Sequence, residues 1–166
     1  LVFTYAWILP DIFYDLTVNP FIDQVKGVDD IYNPSSYYMS NAYPVKRLQN
    51  AGAVLAAGSD APVDTRDPRP FMNIQQAVTR ADEMGQVANT ADRVDVRTIL
   101  DAYTINGARL FGHEAITGSL ETGKAADLVV IDQDLLALEA AGRAKEIGET
   151  EVLLTLFNGQ VVFEAN

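Results

Sequence analysis

The sequence predicts an α/β chain, and three observations carry that prediction. Residues 2–9 and 53–57 form two nearly continuous apolar runs, the pattern of strands buried on both faces of a parallel sheet. The segment before the second run can form a helix, and a helix between two apolar strands is the signature of a βαβ unit. Near the C-terminus, Val152-Leu-Leu-Thr-Leu-Phe157 and Gln160-Val-Val-Phe163 flank Asn158-Gly159. Asn-Gly is the strongest short hairpin signal, because both central positions of a type I′ turn need φ > 0.

In chain order, the first strand ends at Pro10-Asp11. The run opens on Leu1 without the basic leader of a signal peptide, so it is expected to be a buried strand whose predecessors have been removed. Residues 11–40 hold scattered aromatics with Pro20 and Pro34 and no sustained period, which predicts a long loop region of the kind that is often functional. A short helix is expected over 41–49, with Asn41 as cap, Val45 and Leu48 on one face, and Gly52 as its stop. Asp67-Pro68 offers an N-cap and N1 pair for a helix over 68–81 that carries Phe71, Ile74, Ala77 and Val78 at helical spacing. After a polar link at 82–92, Asp95 is expected to cap a single helix. Its apolar face would carry Val96, Ile99, Leu100, Tyr103, Gly107, Leu110 and Phe111, with Gly112 as the C-terminal signal. Past residue 114 the chain turns often. A short strand is expected between Asp127 and Asp132, one helix within 134–148, and then the hairpin.

Composition narrows the function classes. Hydrophobic residues make up 48% and charged residues 21% of the 166, enough apolar material for a core. The net charge of −11 repels phosphate backbones, so nucleic-acid binding is not expected. No basic amphipathic stripe and no apolar run of membrane-spanning length suggest a membrane partner. With no cysteine, thiolate nucleophiles, disulfides and Cys-based zinc sites are excluded from these residues. A cytoplasmic rather than secreted location is the expectation.

An acid just past a buried strand points to chemistry. Gly58-Ser-Asp60 follows the run at 53–57, which puts a carboxylate at a strand's C-terminal end, the face where (β/α) barrels carry catalytic groups. Gly58 is expected to let the backbone turn tightly, and Pro62 to fix the exit. By physics alone, such an Asp more often caps a helix or closes an Asx-turn. The single histidine, His113, reads as a solvated residue just past a helix end. Arg80 is expected to hold its helix against a loop or to pair with an acid, and Asp127 and Asp132 to be structural. Trp7, Tyr37 and Tyr38 are expected in core packing, with a substrate pocket as the alternative.

Gly58-Ser-Asp-Ala-Pro-Val63, with Asp67-Pro68 and Ala77-Val-Thr-Arg80, resembles the eighth-strand motif of the amidohydrolase superfamily, in the branch of YtcJ-like proteins and N-substituted formamide deformylases (amidohydrolase family 3). Asp101-Ala-Tyr-Thr-Ile-Asn106 is similar to that branch's AL-x-x-YT-x-N helix, and Gly118-Ser-Leu-Glu-Thr-Gly-Lys-Ala-Ala-Asp127 to its G-S-L-E-x-G-K-x-A-D segment. Val152 and the strands up to Phe163 look like the closing strands of its β-sandwich. Many relatives carry Gln-Pro where this chain has Leu9-Pro10.

The resemblance implies a metal-dependent hydrolase fold, a (β/α)₈ TIM-like barrel plus a β-sandwich built from both chain ends. Residues 1–114 would supply the C-terminal part of the barrel and 115–166 the C-terminal segment of the sandwich. It also implies one or two divalent metals, with zinc expected. The family holds them by a His-x-His after strand one, a bridging Lys or Glu, and two later His. Asp60 matches the eighth-strand Asp, which contacts one metal and takes the proton of the attacking water. One histidine and no cysteine cannot build that site, so this chain alone is not expected to ligate the metal fully or to be active. The expected reaction of the longer protein is hydrolysis of a non-peptide C–N bond, an amide or cyclic amide, in a small-molecule substrate. The alternative is a non-catalytic regulatory or binding protein on the same scaffold, which the upstream His-x-His would discriminate. Half a barrel leaves strand edges and apolar faces to cover, so assembly into a homo-oligomer is expected unless the chain is a trimmed remainder.

Overall fold

A computed structural model describes residues 2–4, 37–41, 43–59, 68–81, 85 and 87–166. Strand β1, Val2–Thr4, pairs in parallel with β2, Val54–Ala56, in the register Val2 to Val54 and Thr4 to Ala56. The parallel pair expected from the two apolar runs is therefore formed. Residues 5–10 of the first run lie outside the described residues.

The helix before β2 is divided. Tyr37–Asn41 forms α1, and Val45–Asn50 forms α2 with Pro44 at its N-cap. Asn41 thus ends one helix instead of capping the next. Tyr43, between them, has φ +52, a left-handed turn that breaks helical continuity. Val45 and Leu48 pack against the core as their spacing predicts, and Gly52 turns the chain into β2 at φ +84.

The next helix, α3, spans Pro70–Thr79 and starts two residues later than Asp67-Pro68 suggested. The ring of Pro70 bars Arg69 from the helical region, so Arg69 sits at φ 38, ψ 56 as N-cap and Pro70 becomes N1. Ile74 and Val78 enter the core, but Asn73, Gln75 and Gln76 are buried as well. A bridge between Ala81 and Val87 and a 3₁₀ turn at Thr90–Asp92 organise the polar link.

Asp95 caps α4, Val96–Tyr103, its carboxylate accepting from the Thr98 N–H at 2.7 Å. The expected single helix stops there. Thr104, at φ −122, ψ −98, separates α4 from α5, Ile105–Leu110. Leu110 and Phe111 consequently face outward, Phe111 being 72% exposed, while Gly112 ends α5 at φ +71.

In the last third, β3 (Leu128–Ile131), β4 (Val152–Phe157) and β5 (Gln160–Glu164) form an antiparallel sheet in the order β3-β4-β5. Asn158 and Gly159 take φ +49 and +77, as a type I′ turn requires. The helix expected within 134–148 is α6, Leu135–Ala140, capped by Asp134, followed by a 3₁₀ stretch at Ala144–Glu149.

One core crosses residue 114. Leu135, Leu138 and Ile147 join Leu55, Ile74, Val96 and Ile99 in a single cluster. Two polar ties reinforce it: the Val96 N–H donates to Glu139 Oε1 at 3.1 Å, and the Gly148 N–H to Gln75 Oε1 at 2.9 Å. At Gly148 a Cβ would stand 2.7 Å from Gln75 Oε1 and 2.9 Å from Met72 Cε. Gly148→Ala is therefore expected to destabilise the fold by about 1–2 kcal/mol, through a lost part-buried hydrogen bond and overpacking, read as a lower melting temperature.

Candidate functional site

The chain leaves β2 through Ala57, Gly58 and Ser59 towards Asp60, and Asp60 itself lies outside the described residues, as do 61–67. Beneath that exit, the Ala57 N–H donates to the Ala102 carbonyl of α4 at 3.0 Å. Where the chain returns, Asn73 Nδ2 donates to the Pro68 carbonyl at 3.1 Å. The described residues on either side of 60–67 are thus tied to helices. Gly58 does not take a positive φ, and the place of an added Cβ is open among the described residues. The tight-turn role expected for it is not needed by its own backbone.

Arg47, Asp92 and Arg80 form a charged cluster, of which the sequence pattern points only to Arg80. Asp92 is 1% exposed. It accepts from the Arg47 N–H at 3.0 Å, Arg47 Nε at 2.9 Å and Asn89 Nδ2 at 2.8 Å, with Arg47 Nη2 also at 2.8 Å. Burial pushes its pKa up, but the hydrogen bonds from Arg47 and Asn89 outweigh that and hold the carboxyl below its ordinary value. Arg80, 2% exposed, ends α3 in the left-handed region at φ 57. Its Nε donates to the Ala88 carbonyl at 3.3 Å and its Nη1 to the Tyr43 carbonyl at 3.4 Å, which is the helix-holding role expected of it. Burial lowers its pKa to about 10, against the charge of Asp92, so the guanidinium stays charged at neutral pH.

His113 is exposed, and its backbone N–H closes α5 by donating to the Ala108 carbonyl at 2.8 Å. It rims an open cleft of about 600 Å³ between α5 and β3, walled by Tyr103, Phe111, Leu120, Asp127 and Val129. Asp127 is engaged locally, accepting from Thr117 Oγ1 at 2.9 Å and the Asn158 N–H at 2.7 Å, while Asp132 accepts from the Glu151 N–H at 2.8 Å. Both are structural, as expected. Tyr37 is 85% exposed and takes no part in core packing; Trp7 and the side chain of Tyr38 lie outside the described residues. Gln76 is buried with neither amide atom hydrogen-bonded. Its position beside Gln75, three residues after Asn73, gave no sign of this.

Among the described residues no three His, Cys, Asp or Glu come together in a way that holds a metal ion. The described donor set therefore does not fit a metal centre. Nor is any helix among them long and apolar enough to cross a membrane.

A parallel strand pair backed by helices defines the class as an α/β chain. More narrowly, the chain belongs to the amidohydrolase family, which matches residues 14–163. It is 31% identical over 129 residues to the putative amidohydrolase YtcJ of Bacillus subtilis, covering 76% of this chain and 23% of that protein. It is 31% identical over 157 residues to the N-substituted formamide deformylase of Arthrobacter pascens, covering 94% of this chain and 28% of that protein. Among solved structures, an adenosine deaminase from Xanthomonas campestris with bound zinc shares 30% identity and a TM-score of 0.55, covering 73% of this chain and 28% of that one. The chain thus spans about a quarter of the length of these relatives.

Proposed function

We propose that this chain is the C-terminal part of a metal-dependent hydrolase that cleaves a non-peptide C–N bond, with Asp60 as general base. The observation that carries the reading is the family match across residues 14–163, which includes Asp60 just past β2. The named activities of the relatives, removal of a formyl group from an N-substituted formamide and deamination of adenosine, both break C–N bonds. In this reading residues 1–114 are the last part of a (β/α)₈ barrel and 115–166 the C-terminal segment of a β-sandwich, from which the stretch 135–149 returns to pack on the barrel helices. Zinc, held mainly by residues other than those described, would supply activation of the attacking water. Asp60 is the one ligand the matched motif assigns to this chain. The substrate is a small molecule, and the 166 residues alone are inactive. Exposed apolar side chains on both outer strands, Val129 and Val130 on β3 and Val161 and Phe163 on β5, favour covering by the rest of a longer protein or by a second copy.

Metal analysis and turnover test the reading together. The longer protein is expected to hold stoichiometric zinc and to release amine or ammonia from a panel of N-formylamines and aminopurine nucleosides. The 166-residue chain, at micromolar zinc, is expected to do neither. A longer protein without metal and without turnover on any amide would favour a non-catalytic binding role on the same scaffold.

A further inference from the structure

We propose that Gly118 is a positioning residue for the strand end leading to Asp60, acting through the break between α4 and α5; this rests on the reading of Asp60 given above. The relay begins at Ala57, whose N–H is taken by the Ala102 carbonyl at 3.0 Å, three residues before the acid. In an unbroken helix that carbonyl would accept from the N–H of residue 106. The turn at Thr104, φ −122 and ψ −98, ends α4 and leaves the carbonyl to the strand.

Thr104, Ile105, Asn106 and Gly107 are weak helix formers, but weak propensity alone does not fix where a helix breaks. The apolar spacing runs on through Tyr103, Gly107 and Leu110, and no proline interrupts it. Thr104 Oγ1 bonds back to the Leu100 carbonyl at 2.7 Å, an arrangement that ordinary helices tolerate with little more than a bend. What sits on the break is the turn at Gly118. At φ +87, its missing Cβ would stand 2.6 Å from Ala108 Cβ, 3.1 Å from Ile105 Cα and 3.3 Å from the Thr104 oxygen. These neighbours are backbone or the first side-chain carbon, so none can swing aside. Only glycine lets the turn seat there, and its seating fixes where α5 departs and hence where the Ala102 carbonyl points.

Amide exchange and kinetics test the relay separately. Gly118→Ala is expected to speed exchange of the Ala57 amide on the order of 10-fold, as the hydrogen bond loosens. Gly123→Ala is the matched control: Gly123 has φ +95 and nothing within 4 Å of its missing Cβ, so the same backbone strain arises without contact at the break. It is expected to leave Ala57 unchanged. The double variant Gly118→Ala/Ala108→Gly removes the closest clash and should recover part of the protection, and it serves as the readout if the single variant does not fold. In the longer protein, Gly118→Ala is expected to lower kcat on the order of 10-fold with KM nearly constant, the pattern of a misaimed group. Ala57 exchange equal in the Gly118 and Gly123 variants would overturn the proposal, as would unchanged kcat beside faster exchange. Full turnover in Asp60→Asn would count against the base assignment alone, with exchange still deciding the relay.

Discussion

Replacing Asp92 by alanine is expected to destabilise this chain by about 3 kcal/mol, the lower end of the roughly 3–5 kcal/mol typical when a buried ion pair loses one member. The lower end applies because Arg47 is 48% exposed on its side chain and can rehydrate, whereas the side chain of Asp92 has no exposure. Three donors would be left facing the space vacated by the carboxylate: the Arg47 N–H, Arg47 Nε and Asn89 Nδ2. Arg80 would lose the charge that opposes its own desolvation. Asp92→Asn keeps the shape and one acceptor, so a smaller loss is expected, and the difference between the two variants separates charge from packing. A thermal melt of each provides the check, with an unchanged melting temperature in Asp92→Ala removing the cluster from the stability account.

Acid should erase part of that contribution. The folded pKa of Asp92 is lowered, so the stabilisation it brings is fully present above the unfolded carboxylate value of about 3.9. It fades as pH falls through the folded value, because the unfolded chain then takes up the proton more readily. The gap in melting temperature between the natural chain and Asp92→Asn is thus expected to be constant near neutrality and to narrow below about pH 4. A gap that stays constant down to pH 3 would mean that an ionised carboxylate is not its source.

Sequence alone made the locally encoded features legible. The hairpin turn needs two positive φ values, and Asn158-Gly159 accepts them cheaply; Asp95 caps α4 with its own side chain. Both are decided within four residues. The start of α3 was also local, but the decisive residue was Pro70, not Pro68, because a proline restricts the residue before it. Long-range features left no such trace. Arg47 and Asp92 are 45 residues apart, and the link containing Asp92 reads as an ordinary polar loop. The break at Thr104 lies inside an intact apolar period, which a turn fourteen residues later disrupts. Buried Gln75 follows the same logic, since its partner Gly148 lies 73 residues along the chain. As for Asp60, its place after an apolar strand was visible, but the chemical role proposed for it rests only on resemblance to a family.

In the longer protein, Asp60→Asn is expected to lower kcat on the order of 10²-fold or more while the fold survives, the scale of losing a general base. Hydrolysis of a C–N bond needs a proton taken from water as it attacks and a proton given to the departing nitrogen. A carboxylate does both in turn, whereas the neutral amide of asparagine is nearly isosteric but accepts no proton at any working pH. Substrate binding does not draw on that transfer, so KM should change little and the loss should fall on kcat. The rise of kcat/KM on the acid side, which reports ionisation of the base in the free enzyme, should vanish with it. Zinc content separates the two roles assigned to Asp60. Full zinc beside lost turnover identifies the residue as the base, and lost zinc with recovery on added metal identifies it chiefly as a ligand. Near-normal turnover in Asp60→Asn, with an unchanged acid limb, would remove the residue from the mechanism.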